Sequence, residues 1–150
     1  SISYGTRPPG DKSWKEIFLS EVSAQIDHSR VHFVGILDYA RFVSVLQISR
    51  AHAYLTYPFV LSWSMIESMS AGALVIGSKT PPVEEVISHE QNGLLVDFFD
   101  VAGWSDAIID ALARPDHYRD MRAAARQTAI TRYDQQTVCV PQMTAFLEGV

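Results

Sequence analysis

The sequence predicts an α/β fold, a Rossmann-like parallel sheet with flanking helices. Short and almost purely apolar runs such as Leu74-Val75-Ile76 are typical of strands that are covered on both faces. They alternate with segments of helical periodicity in the order β-α-β-α-β. The chain of 150 residues has the length of one domain, so we expect a single domain over 1–150, with a loop over 1–11 and a helical tail over 101–150.

The first elements follow a Pro/Gly-rich opening. Apolar residues recur at three- and four-residue spacing after Trp14, which predicts an amphipathic helix over 12–27. The β-rich run 31–35 ends in a glycine and predicts a strand. Apolar positions from Tyr39 to Ile48 predict a second helix, which ends near Ser49.

The central and last elements come from shorter patterns. The sequence predicts a strand over 52–56, a helix over 64–71 closed by Gly72, a buried strand over 74–77, one or two helical turns over 83–88 and a strand over 93–96. The tail predicts helices over 101–113, 116–132 and 135–148, with Pro115 and Pro141 near boundaries or a kink.

The composition excludes several classes of protein. A net charge of −5 argues against nucleic acid as the main partner, since that affinity needs clustered Lys and Arg. A single cysteine, Cys139, excludes an intramolecular disulfide and a multi-cysteine zinc site and fits a reducing compartment, so we expect a cytoplasmic protein. The longest apolar window, 53–66, is shorter than the roughly 20 residues of a spanning helix.

A loop over Tyr57–Trp63 follows one predicted strand and leads into a helix at Ser64. Ligands bind to parallel sheets at the carboxyl ends of strands, and helix N-termini offer unpaired amides to anions. The loop contains no Lys or Arg, so an anion would be held by amides, those of Leu61, Ser62, Trp63 and Ser64. Glu67 follows one turn later, where it could accept hydrogen bonds from a ribose diol or, in Ser64-x-x-Glu67, complete a capping box.

A second loop, 77–86, leaves the next predicted strand, contains paired prolines and enters a turn. Two acids stand in the first positions of that turn, Glu84 and Glu85, and they either favour the positive end of a helix dipole or line the same crevice. Trp63 has two interpretations as well, a ring that stacks on a sugar and a core aromatic.

Other patterns give weaker signals. The five histidines lack the spacing of a metal site and no D-x-D is present, which predicts metal independence. Arg119, Arg122 and Arg126 share one helical face, which could contact anionic lipid at a membrane surface or be a solvated face paired with Asp116 and Asp120.

Taken together, these segments resemble the nucleotide-sugar-binding half of retaining glycosyltransferases of the two-Rossmann-domain type (GT-B), family 4. The succession of a glutamate in a helix, a glycine, an apolar strand and an N-G-L-L-V run is specific in that order, and it covers most of the chain. The matching segments are 32–35, 57–69, 71–78, 85–87 and 92–96.

The resemblance implies roles for individual residues. Glu67 resembles the second acid of the family's E-x7-E signature, which contacts the donor's ribose. Leu61, Ser62 and Trp63 correspond to the loop amides that hold the donor phosphate and sugar, and Gly35 and Ile36 to the base-contacting segment. We add Ser64, Thr80 and Glu85 as candidate donor-binding residues because they lie in the same two strand-end loops.

The chain departs from the family in two respects. Phe59 stands where the first acid of the signature would be, so the sugar would be recognised through loop backbone or through Ser62 and Ser64. A preceding β-α-β unit and the family's other domain have no counterpart here, so we expect a piece of a longer protein. That would leave strand 31–35 separated from strand 52–56 unless a partner chain, a swapped segment, a rearranged sheet or self-association fills the gap.

From these observations we expect the donor-binding part of a retaining hexosyltransferase, inactive alone. It would take a nucleoside-diphosphate sugar as substrate and need no cofactor. The alternative is a non-catalytic binding or assembly module that has lost the donor site. A nucleotide-sugar epimerase would need acids and a histidine that the sequence does not place.

Overall fold

The computed structural model describes residues 8, 10 and 12–149. Most of the loop expected over 1–11 lies outside the described residues. The chain divides into two compact units, one up to Asp38 and one from Tyr39 onward, and each is described by itself. The single domain expected over the whole chain remains a prediction.

The first unit contains one α-helix, α1 (Trp14–Val22), in the part that the structure describes. A capping box begins it, in which the Ser13 hydroxyl accepts from the Glu16 amide and the Glu16 carboxylate accepts from the Ser13 amide at 2.6 Å. The helix is shorter than the expected 12–27. A 3₁₀ turn, His28–Arg30, follows.

The strand expected over 31–35 is wrong. Val31 has extended backbone angles, as β-branched residues favour, but no strand among the described residues pairs with this segment. An extended segment becomes a strand only when a neighbour takes up its N–H and C=O groups. Its apolar side chains, including that of Phe33, are exposed, and the Lys15 ammonium lies 3.8 Å from the centre of the Phe33 ring.

The second unit carries the sheet. In chain order its elements are α2 (Tyr39–Ile48), β1 (Ala51–Tyr54), α3 (Trp63–Ala71), β2 (Leu74–Ser78), α4 (Pro81–Glu84), β3 (Leu94–Val96), α5 (Val101–Ala113), a 3₁₀ turn (Pro115–Tyr118), α6 (Arg119–Tyr133), a π-helical segment (Gln135–Cys139) and α7 (Val140–Glu148). The described strands form one parallel sheet in the order β1-β2-β3. The predicted α/β class, the β-α-β-α-β alternation and the parallel sheet are confirmed.

The central strand, β2, is buried along its whole length, as its apolar run predicts. One face packs against α3, α4 and α6 through a cluster that includes Met65, Met69, Val83 and Ala125. The other face packs against α5 and the 3₁₀ turn, where Trp104 and Tyr118 lie against Leu74 and Ile76. Because helices cover both faces of the sheet, a ligand can approach the strands at their ends. In parallel sheets the carboxyl ends are where ligands bind.

Predicted boundaries differ from the observed ones mainly at strand and helix ends. The helix over 101–113 agrees with α5, whereas the turn expected over 83–88 is α4, two residues earlier. The tail helix expected over 135–148 is α-helical only from Val140, because the preceding segment is a π-helix beside Pro141.

Candidate functional site

The carboxyl ends of the three described strands meet at one edge of the sheet. Tyr54, the last residue of β1, is in register with Gly77 of β2, and Ser78 is in register with Val96 of β3. Three connections leave this edge: 55–62 after β1, 79–80 after β2 and 97–100 after β3. Such an edge is where open parallel sheets bind ligands.

The connection 55–62 is held at both ends by hydroxyl groups. At its beginning, the Ser78 hydroxyl accepts from the Thr56 amide at 3.0 Å and donates to the Thr56 carbonyl at 2.8 Å. At its end, the Tyr54 hydroxyl accepts from the Ser62 amide at 2.8 Å. The Tyr57 ring also meets the Phe98 ring edge-on, with 6.1 Å between centroids, so the connections after β1 and β3 touch.

The N-cap of α3 is Ser62, two residues before the predicted helix start. Its side chain accepts from the Ser64 amide at 3.3 Å, and the two hydroxyls lie 3.0 Å apart. The capping box proposed for Ser64-x-x-Glu67 is therefore wrong, because Ser64 lies inside the helix. Glu67 is the fifth residue of α3 and caps nothing.

The Glu67 side chain is half-buried, and among the described residues nothing hydrogen-bonds or ion-pairs with its carboxylate. It lies on the helix face of Trp63 and Ser64, four and three residues earlier, and away from the buried Met65 and Met69. Side chains of an α-helix tilt toward its N-terminus. The Cα–Cβ bond of Glu67 therefore tilts toward the start of α3, and its carboxylate oxygens are available as acceptors for ligand hydroxyls.

The amides of the loop end divide into two pairs. Those of Ser62 and Ser64 already have partners, the Tyr54 hydroxyl and the Ser62 hydroxyl. Within the described part of the chain, no acceptor is bonded to the amides of Leu61 and Trp63. These two N–H groups, next to the positive end of the α3 dipole, can hold an anion.

The Trp63 side chain is 80% exposed. The interpretation as a core aromatic is therefore wrong. The ring stands at the first position of α3, four residues before Glu67 on the same face of the helix.

Thr80 is the N-cap of α4 and is 4% exposed. In the described structure its buried hydroxyl oxygen has no hydrogen-bond partner. The reason is local: Pro81 and Pro82 occupy the first two helical positions and have no N–H, and the Val83 amide bonds to the Thr80 carbonyl at 2.9 Å.

The two acids after this loop occupy different ends of α4. Glu84 lies in its first turn, as the dipole interpretation requires, but Glu85 is the C-cap, where a negative charge is not favoured. The dipole interpretation is thus wrong for Glu85. Its side chain is exposed, and its carbonyl accepts from the Arg132 guanidinium at 3.2 Å.

The two candidate base-contacting residues, Gly35 and Ile36, belong to the first unit. Both are exposed, and Gly35 has φ 65°, in the left-handed region that suits glycine.

The arginine face of α6 is partly engaged within the protein. Arg119 pairs with Asp116 at 2.7 Å, and the Arg126 guanidinium donates to the Ser70 carbonyl. This favours the solvated, paired face over a lipid-binding one. No described helix has the length and apolar character needed to cross a bilayer. Among the described residues, no group of three His, Cys, Asp or Glu side chains could ligate a metal ion.

Comparison with known families decides the class of the protein. The sequence profile described as glycosyl transferases group 1 matches residues 10–128, most of the chain. The chain belongs to this family. The resemblance drawn from the sequence motifs is thereby confirmed.

Two relatives illustrate the distance to characterised members of the glycosyl transferases group 1. N-acetyl-alpha-D-glucosaminyl L-malate synthase of Bacillus anthracis is 24% identical over 119 residues, which cover 79% of this chain and 31% of that protein. Glycogen synthase of Mycobacterium tuberculosis is 26% identical over 129 residues, 81% of this chain and 31% of that protein. The chain thus spans about a third of the length of these relatives.

Solved structures share the fold. Sucrose-phosphate synthase from Thermosynechococcus elongatus has a TM-score of 0.79 at 22% identity, covering 96% of this chain and 37% of its own. HepE of Anabaena, solved in complex with UDP-glucose, has a TM-score of 0.82 at 17% identity, covering 91% of this chain and 37% of its own. The Rossmann-like fold of this chain is therefore shared with both.

Two residues of the site were missed by the sequence argument, Tyr54 and Ser78. Tyr54 is the last residue of β1, and Ser78 is the last residue of the buried strand β2. A polar atom at the last position of a covered strand is a usable signal, because it must find a partner at the strand-end edge.

Proposed function

We propose that this chain is the donor-binding part of a retaining glycosyltransferase that transfers a hexose from a nucleoside-diphosphate sugar to an acceptor hydroxyl. The observation that carries the proposal is the Glu67 carboxylate, which is half-buried, has no partner among the described residues and lies one helical turn after the open amide of Trp63. A carboxylate beside an anion site suits a ribose next to a diphosphate.

The diphosphate would lie at the start of α3. The amides of Leu61 and Trp63 would donate to phosphate oxygens, and the helix dipole would offset negative charge. That charge grows on the leaving nucleoside diphosphate as the glycosidic bond breaks, so preorganised amides would stabilise the transition state more than the ground state. Glu67 would anchor the ribose and thereby fix the position of the reacting carbon.

The remaining candidates of the second unit belong to the same proposed donor site. The Ser62 and Ser64 hydroxyls would contact the sugar, because Phe59 stands where the family has an acid. A contact of Gly35 and Ile36 with the base stays a prediction from the resemblance. Thr80 and Glu85 would line the neighbouring strand end. HepE, which has the same fold, was solved with UDP-glucose, and this supports a nucleotide sugar as the ligand here.

We further propose that the donor site needs no metal ion and that residues 1–150 bind the donor without turning it over. The chain covers 31% of the relatives named above, and the resemblance implies that the acceptor site lies in the family's other domain.

The test is calorimetric titration of the chain with UDP, GDP and ADP. We expect one of them to bind and Glu67→Ala to abolish or strongly weaken that binding. Glu148→Ala, which removes an exposed carboxylate from α7, is the matched control and should bind as the wild type does. Thermal melts establish that both variants fold.

A second candidate, a non-catalytic binding module, is favoured by one observation. Phe59 occupies the position of the signature's first acid and is 75% exposed, so no carboxylate approaches the sugar from there. A wild-type chain that binds none of the three nucleotides would favour this alternative over the donor site.

A further inference from the structure

The connection 55–62 is not held in place by the core. Its apolar side chains Leu55, Tyr57, Phe59 and Val60 are all exposed, and only Leu61 packs partly against the buried cluster. Exposed loops without buried contacts have low local stability. Yet this connection must present the Leu61 and Trp63 amides in a fixed geometry if they are to bind an anion.

The far end of the connection is fixed by Tyr54. Its ring is 8% exposed and belongs to the core cluster on the α3 face of the sheet, so the core determines where its hydroxyl lies. That hydroxyl takes up the Ser62 amide at 2.8 Å. Since the Ser62 amide is occupied, the open amides are those of its two neighbours, Leu61 and Trp63.

The near end is fixed by Ser78, the last residue of β2, which is fully buried. Its hydroxyl bonds to both the amide and the carbonyl of Thr56, at 3.0 and 2.8 Å. The connection after β1 is thereby tied to the end of the neighbouring strand. Two buried hydroxyls thus replace the apolar contacts that the connection lacks.

We propose that Tyr54 and Ser78 are positioning residues for the donor's diphosphate. They touch neither phosphate nor sugar; they hold the connection so that the Leu61 and Trp63 amides point at phosphate oxygens. This inference rests on the proposed function, because it concerns the same donor-binding site. The Tyr54 and Ser78 hydroxyls should raise the affinity for the phosphate groups and leave the affinity for the nucleoside unchanged.

The experiment compares Tyr54→Phe with Tyr118→Phe. Each substitution removes one hydroxyl from a tyrosine that is 8% exposed and leaves the ring in the core. The Tyr118 hydroxyl donates to Asp110 on the opposite face of the sheet, so its loss is a matched structural control. The chain and both variants are titrated with UDP, GDP and ADP and with uridine, guanosine and adenosine.

We expect Tyr54→Phe to weaken binding of the nucleoside diphosphate by about fivefold, the value of one hydrogen bond, and to leave the affinity for its nucleoside unchanged. Tyr118→Phe should change neither affinity. An unchanged diphosphate affinity in Tyr54→Phe, or an equal loss for diphosphate and nucleoside, would overturn the inference.

Amide hydrogen exchange separates this inference from the proposed function. In Tyr54→Phe the Ser62 amide should exchange at least several-fold faster than in the wild type, while the amides of β2 keep their protection. In Ser78→Ala the Thr56 amide should likewise exchange faster. If the wild type binds none of the six compounds, the proposed function fails, and with it the diphosphate role. Unaltered exchange at Ser62 would show in addition that Tyr54 does not hold the loop.

Discussion

The Asn92 side-chain amide donates a hydrogen bond to the Thr128 hydroxyl at 3.1 Å, which joins the turn before β3 to α6. The same amide donates to the Val86 carbonyl at 3.0 Å, and its oxygen accepts from the Ser88 amide at 2.7 Å. Asn92 is buried, and its side chain satisfies backbone groups in the turn that precedes β3. The asparagine of the N-G-L-L-V run is therefore a structural residue.

Asn92→Ala should destabilise the protein strongly. The substitution leaves the Ser88 amide and the Val86 carbonyl without their partner, and we expect the free energy of unfolding to fall by about 2–3 kcal/mol. Thr128→Val removes a single partner of Asn92 and should cost about 1 kcal/mol. Urea denaturation measures both, and a loss in Asn92→Ala no larger than that in Thr128→Val would contradict this role.

Ser62, not Ser64, should be the serine that stabilises α3. We expect Ser62→Ala to lower the free energy of unfolding by about 1 kcal/mol, because the Ser64 amide loses its cap. Ser64→Ala is the matched control and should cost less, since the Ser64 hydroxyl caps no helix end. The reverse order in urea denaturation would show that the helix begins two residues later in solution.

Gly72 should resist replacement by alanine. It ends α3 with φ 84°, and its amide and that of Ala73 bond to carbonyls of the last helical turn. Gly72→Ala places a Cβ in the left-handed region and should cost about 1 kcal/mol. Gly72→Asn should cost less, because asparagine tolerates this conformation. Equal melting temperatures for the wild type and Gly72→Ala would contradict the left-handed cap.

His52 should make stability depend on pH. Burial on β1 lowers the pKa of its imidazole below the ordinary value near 6.5. The unfolded chain therefore binds a proton at His52 at a higher pH than the folded chain. Protonation of His52 leaves the free energy of unfolding unchanged above about pH 6.5 and lowers it as the pH falls below that value.

The check is the difference in melting temperature between pH 7.5 and pH 5.5, for the wild type and His52→Gln. The other histidines are present in both proteins, so their contributions cancel in the comparison. We expect the smaller decrease in His52→Gln. An equal decrease in the two proteins would show that His52 is protonated alike in both states.

Much of the sheet could be predicted because β2 and β3 contain continuous apolar runs. Leu74-Val75-Ile76 is buried in the central strand, and Gly72 marks the helix end before it. The segment 31–35 has the same local preference for extended backbone, but no strand of the described chain pairs with it. Strand pairing depends on tertiary structure, which local sequence does not determine.

The site was predictable in part. Glu67 was selected from its position after a strand-end loop, and the structure leaves its carboxylate without a partner in the described chain. The predicted N-cap of α3 was Ser64 and the observed one is Ser62. Both serines are good N-caps, and local sequence does not choose between them. The occupied Ser62 amide depends on Tyr54, eight residues earlier, and only the packing of the ring brings the two together.

The most direct test of the central claim is a thermodynamic cycle between Glu67 and the ribose hydroxyls. The nucleoside diphosphate that binds best and its 2′,3′-dideoxy analogue are titrated into the wild type and Glu67→Ala. We expect the wild type to prefer the ribose form by about tenfold, the value of a charged hydrogen bond, and Glu67→Ala to bind both forms equally. A Glu67→Ala variant that keeps the full ribose preference would contradict the account.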